Sequence, residues 1–439
     1  MSKQAFYIWN ILFLSICFSV FSSNKVVYGK DEIAMFQAAI EGRVDLVESF
    51  LSKGVNVDVS NDDGWNILHV AARQGYLDMV EMLFQRSFFP HINAQTVEGG
   101  WTALHLAVYR NHTEMVKMLL SKGANLHLRS RNKSTALHLA AKQGNLEIIE
   151  LIFSEDEHYR HLVNAKNDQG WIPLHIASRN NYSEVVHVLI ERGSDVNMAD
   201  NTGWTALHMA AERGHLDVLK ELSEMGESRG IELDVQEVDG WTALHLASYQ
   251  GHVEVIEELI NRGADVNKID KEGWTALHIA VERGDASIVK LVTDRKTNKG
   301  LKIDAKNVSG STPLHLAASK GFLKIAEILL SRGSSLNSKT ENAWTPLHEA
   351  SFNGHVDLVR LLLEESAERE ISTINAVVDG GWTALHLATS QGFIEVVKYL
   401  LNQGVNTTIR DDRGMTAYDH AIAEGYRKIA TLLTVKRRG

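Results

Sequence analysis

The string Trp-Thr-Ala-Leu-His begins at Trp101 and returns from Trp204, Trp241, Trp274 and Trp382. Near copies begin at Trp65, Trp171 and Trp344, and Ser134-Thr135-Ala136-Leu137-His138 and Ser311-Thr312-Pro313-Leu314-His315 lack only the Trp. A motif that recurs every 33 to 38 residues limits the fold severely. A unit of that length is one supersecondary element, too small to bury its own apolar face, so units must stack on one another.

Each motif residue has a local role. Thr102 and its equivalents precede a short apolar run and suit the N-cap of a first helix. Leu104 and the small Ala107 are expected to face the neighbouring unit. Six residues past eight of the ten histidines stands a glycine, as at Gly75, Gly144 and Gly251, suited to a left-handed turn. Asn111 and Asn181 take that slot in two units, Asn being the next residue type to tolerate it. An apolar i, i+3, i+4 pattern follows, as in Val253–Ile260, and reads as a second helix. The expected fold is all-α: an α-solenoid of helix pairs with β-hairpin-like turns, over residues 31–434, in about twelve units. The end units keep the register but put Phe36 and Asp419 in the His slot, as ends that meet solvent would.

This pattern resembles the ankyrin repeat, whose Thr-Pro-Leu-His-x-Ala motif leads to a Gly-Ala-Asp-Val-Asn turn entry; Gly263-Ala264-Asp265-Val266-Asn267 matches that entry. Ala replaces the motif Pro in most units, which should cost some rigidity at the first helical position and leave the fold intact. The resemblance implies a module that binds proteins, because arrays of this kind serve many partners.

A second period lies within the first. From His69 to His386 the motif histidines are separated by 36, 33, 37, 33, 37, 33, 37, 33 and 38 residues, so short and long units alternate in pairs. The hairpin Asp/Asn lies 22 residues after the His in a short unit (His245 to Asn267) and 26 after it in a long one (His208 to Asp234). The additions are therefore expected as surface loops between the second helix and the hairpin. Such loops would form one possible binding face and would stay outside the interfaces between units.

Catalysis and cofactors find little support. Cys17 is the single cysteine of the 439 residues, which excludes disulfide frameworks and cysteine-based metal sites from the repeats. A net charge of -10 argues against nucleic acid as a partner. Ten of the 20 histidines fill the Leu-His slot, where bonding at the helix start is the expected role. No nucleophile–base pair recurs, and no phosphate loop or metal motif is present, so no enzyme, cofactor or metal site is expected. Five Asn-x-Ser/Thr sequons, at Asn111, Asn132, Asn181, Asn307 and Asn406, support export only weakly. The candidate binding residues are the eight tryptophans of one slot: Trp65, Trp101, Trp171, Trp204, Trp241, Trp274, Trp344 and Trp382. They can anchor a protein partner, or pack on the next hairpin and hold neighbouring units together.

Residues 1–29 differ from the rest. Lys3 precedes an uncharged apolar run, Ala5–Phe21, and the small Gly29 follows, as in a secretory signal peptide. A secreted, monomeric protein-binding module is the first expectation. The alternative is an intracellular scaffold tethered to a membrane by the same segment, if it is retained. Residues 435–439 read as a basic, solvated tail.

Overall fold

The computed structural model describes residues 29–155, 160–294, 296, 298 and 300–437. The expected signal peptide or anchor lies outside the described residues except for Gly29. By its packing the chain divides into two compact units: one runs through Ala206 and takes in Lys220–Ile231, and the other holds Leu207–Leu219 and the residues from Glu232 on.

In the first unit, helix–turn–helix pairs occupy Lys30–Ile40 with Val44–Ser52, Ile67–Gln74 with Leu77–Gln85, Ala103–Tyr109 with Thr113–Ser121, Ala136–Gln143 with Leu146–Glu155, and Pro173–Arg179 with Ser183–Glu191. In the second they occupy Ala243–Gln250 with Val253–Asn261, Ala276–Arg283 with Ala286–Val292, Pro313–Lys320 with Leu323–Ser331, Pro346–Phe352 with Val356–Glu368, Ala384–Ser390 with Ile394–Asn402, and Ala417–Ala423 with Arg427–Arg437. The pair Ala206–Arg213 and Leu216–Glu227 falls where the two units divide. Within each unit first helices pack on first helices and second on second, which makes a two-layered α-solenoid. The last helix takes in the beginning of the basic tail, through Arg437.

The motif explains this packing. Leu104, Leu137, Leu244 and Leu277 are buried, and Ala107, Ala140, Ala247 and Ala280 are wholly enclosed. Each such Leu contributes about 2 kcal/mol on burial, and the Ala allows close approach of the next first helix. The turn glycines are left-handed as expected, with φ of 79° at Gly75, 70° at Gly144 and 85° at Gly251, and Asn111 and Asn181 adopt 64° and 63°.

The hairpins carry no strand among the described residues, only an isolated bridge, Val377↔Thr383. Each is a turn closed on itself, as where Asp270 N–H donates to Trp274 C=O at 3.0 Å and Gly273 N–H to Asp270 C=O at 3.1 Å. Its tip then bonds to the preceding tip, as Lys271 N–H does to Asp239 C=O at 3.1 Å.

The additions of the long units are not all loops. Second helices of the short units span nine residues, as at Val253–Asn261, whereas two long units run to Leu216–Glu227, twelve residues, and Val356–Glu368, thirteen. A third long unit adds the short helix Arg160–Val163. The additions also enter the interfaces between successive repeats, contrary to expectation. Arg369 donates to the Leu330 and Ser334 carbonyls, both at 2.8 Å, at the end of the preceding unit's second helix. Arg229 likewise reaches the Glu191 carbonyl at 3.3 Å. A guanidinium there satisfies end carbonyls and complements the negative end of the helix dipole.

Candidate functional site

The tryptophan slot is built from the hairpin upward. A side-chain acceptor four residues earlier pins the Trp backbone: Asn61 Oδ1 takes the Trp65 N–H at 2.8 Å, Asn167 Oδ1 that of Trp171 at 2.9 Å, and Asp270 Oδ1 that of Trp274 at 2.7 Å. Asp, Asn and Thr in this turn are short enough to fold back on the backbone.

The next residue opens the first helix. Thr242 Oγ1 accepts the His245 N–H at 3.4 Å, and His245 Nδ1 accepts the Thr242 N–H at 3.1 Å. Ile172, which has no hydroxyl, still donates its N–H to His175 Nδ1 at 3.0 Å. Because Nδ1 accepts a backbone proton, the imidazole hydrogen sits on Nε2. That second nitrogen donates into the following repeat: His138 to Trp171 C=O at 3.0 Å, His175 to Trp204 at 3.1 Å, His245 to Trp274 at 3.1 Å and His315 to Trp344 at 3.0 Å. At Ser311, a slot without Trp, the bond persists from His278 at 3.1 Å, whereas the buried Nε2 of His105, before Ser134, finds no partner among the described residues.

The expected bonding at the helix start is therefore half of the histidine's role. Burial disfavours the imidazolium and holds His69, His105, His138, His175, His278, His315 and His348 at a pKa of about 4. Burial also lowers His245 and His386. In the last repeat Asp419 fills the slot, and its Oδ2 accepts the Thr416 N–H at 2.8 Å. The carboxylate is acceptor-only, so it keeps the cap but cannot donate as the imidazole does.

All eight candidate tryptophans are half-buried. The rings of Trp65, Trp101, Trp171, Trp241, Trp274, Trp344 and Trp382 lean over their own first helices. Trp274 lies 5.8 Å from His278 and Trp344 6.5 Å from His348. The residue eight positions on forms a second contact: Tyr109 meets Trp101 edge-on at 5.2 Å, Tyr249 meets Trp241 at 5.4 Å, and Phe352 meets Trp344 at 5.3 Å. In other units a cation takes that place, Arg73 at 5.6 Å over Trp65 and Arg179 at 5.1 Å over Trp171. Contacts between repeats occur as well. Trp171 Nε1–H donates to Asp200 Oδ2 at 2.9 Å, and Trp382 lies 4.5 Å from His420. The ladder of residues beside the tryptophans gave no signal in the sequence beyond its spacing.

Two clefts open along this face. In the second unit Trp241, Tyr249, Asp270, Glu272, Trp274 and Glu282 help to line one of about 610 Å³. In the first, Trp101, Tyr109, Lys142, Trp171 and Arg179 help to line one of about 360 Å³. Among the described residues no three His, Cys, Asp or Glu side chains are grouped to hold a metal ion.

Family models describe the same organisation. The model for ankyrin repeats (3 copies) matches residues 89–161, 157–236, 225–307, 296–375 and 370–438, and that for ankyrin repeats (many copies) matches residues 35–84. The chain is similar to the nuclear factor NF-kappa-B p105 subunit of Gallus gallus, 30% identical over 183 residues, which is 41% of this chain and 18% of that protein. It is also similar to the Notch-regulated ankyrin repeat-containing protein of Xenopus tropicalis, 34% identical over 56 residues, or 13% of this chain and 49% of that one. The chain thus spans less than half the length of either relative. The solved ankyrin repeat domain of Bcl-3 aligns with a TM-score of 0.48 and 30% identity, over 51% of this chain and 97% of that domain. Ankyrin repeats are protein–protein interaction modules. With the Leu-His register, the helix pairs and a family match over nearly all the described residues, the chain belongs to the ankyrin repeat family.

Proposed function

We propose that the chain is a non-catalytic module that grips a protein partner on its hairpin and first-helix face, with the slot tryptophans as anchors. The carrying observation is the half-burial of all eight tryptophans, with rings such as Trp241, Trp274 and Trp344 backed by their own helices. A ring held on one side and open on the other offers rigid apolar area at low entropic cost, which is why Trp and Tyr recur at binding hot spots. The test is photo-crosslinking of the full chain to its partner from two positions, Tyr249 on this face and Glu257, exposed on a second helix. Crosslinks from Tyr249 alone support the reading; crosslinks from Glu257 alone overturn it.

Export through the secretory pathway is the second part of the proposal, and it rests on Lys3, the apolar run Ala5–Phe21 and Gly29. N-terminal sequencing of the protein recovered from its producing cells tests it. A start near Lys30 supports secretion, and a retained Met1 supports the tethered scaffold.

A further inference from the structure

The protein itself reveals what its aromatic slots accept. In the first unit the cations are its own: Arg73 over Trp65 at 5.6 Å, Lys142 over Tyr109 at 5.9 Å and Arg179 over Trp171 at 5.1 Å. The cleft at Trp241 and Trp274 has the same aromatic walls, with Trp241 and Tyr249 edge-on at 5.4 Å. Among the described residues no cation stands over these rings. Arg283 also lines the cleft, but its guanidinium is engaged by the Tyr249 carbonyl at 2.7 Å.

Where the first unit's ladder carries Arg73, Lys142 and Arg179, this part of the second carries Glu282, and Asp270 and Glu272 join it in the lining. Asp270 Oδ1 is engaged by the Glu272 and Trp274 N–H groups, and Glu282 meets Lys320 at 2.6 Å. Glu272 lies exposed at the hairpin tip. Tyr249 is 57% exposed, so the cleft is open to an incoming side chain.

We propose that the Trp241–Trp274 cleft seats a cationic side chain, arginine or lysine, from an extended segment of the partner protein. The ring faces attract the cation, and the surrounding carboxylates favour it over an anion or an apolar group. This rests on the reading of the hairpin and first-helix face as the binding face, and it names the chemistry that one part of that face takes.

The test uses the full chain labelled with 5-fluorotryptophan, with Trp241→Phe and Trp274→Phe assigning the two signals by fluorine NMR. The probe is the pentapeptide acetyl-Gly-Gly-Arg-Gly-Gly-amide. The expected result is saturable shifts of the Trp241 and Trp274 signals with a Kd of about 1 mM, and no shift with the Glu analogue. The double variant Glu272→Gln/Glu282→Gln should bind about fivefold more weakly. Both side chains are exposed, so its melting temperature should match the parent's; if it does not, Glu272→Gln alone serves and should weaken binding about twofold. Equal shifts of all tryptophans, equal binding of the Glu peptide, unchanged affinity in the variant, or no saturation at about 10 mM peptide would overturn the proposal. Loss of the Tyr249 crosslink with the arginine peptide still bound would instead count against the wider face and leave the seat standing.

Discussion

One imidazole joins two repeats: His245 accepts the Thr242 N–H at Nδ1, 3.1 Å away, and donates from Nε2 to the Trp274 carbonyl, also at 3.1 Å. The same ring thus starts one helix and fixes the backbone of the next tryptophan slot. His245→Ala should cost about 3 kcal/mol, because it removes packed volume and takes one of the two donors from the Trp274 carbonyl, leaving only the Asp270 N–H. Asp419→Ala removes the Thr416 cap, for about 1 kcal/mol. Urea unfolding of both variants measures the difference, and equal costs would refute a role for the histidine between repeats.

Acid should weaken the fold through the buried slot histidines, starting below about pH 6.5. Seven slot histidines have a folded pKa of about 4, against about 6.5 in the unfolded chain. Above that value both states are neutral and the stability is complete. As the pH falls below it the unfolded chain takes up protons that the folded one refuses, so stability is lost down to about pH 4, at up to about 1.4 kcal/mol per pH unit for each histidine. His187, exposed and raised by Glu221, opposes this with one group. Calorimetry should find the melting temperature roughly 10 °C or more lower at pH 5 than at pH 7. No change between those values would disprove the account.

Arg369 caps a helix of the repeat before its own. Arg369→Ala should therefore destabilise by about 1–2 kcal/mol. The loss should concentrate in Leu323–Ser331, where amide exchange should quicken. Protection unchanged there would mean that the added segments are independent of the fold after all.

The two asparagines of the interhelical turn should respond differently to glycine. Asn181→Gly relieves a left-handed residue, φ 63°, and should stabilise by about 0.5 kcal/mol. Asn111→Gly also removes the Oδ1 that accepts the Asn145 amide, so its gain should vanish or reverse. Paired chemical denaturation decides this, and the same shift in both variants would sink the distinction.

The sequence by itself determined the repeat length, the helix pairs, the Thr cap and the left-handed turn, because each depends on contacts within about six residues. Thr242 and His245 are three apart, and Gly251 follows six later, so their chemistry is readable in the string. Tertiary structure decided where the other end of each side chain goes. His245 reaches a carbonyl 29 residues away, and Arg369 reaches one 39 residues away, through stacking that no local pattern encodes. The additions of the long repeats became helix at Leu216–Glu227 and at Val356–Glu368, the latter packed against Leu323–Ser331 and Ile394–Asn402, whereas spacing alone suggested loops. The tryptophans divide the same way. Their slot is fixed by register, but the ring each meets depends on whether Tyr109, Arg179 or another side chain stands eight residues on, which only the folded helix brings alongside.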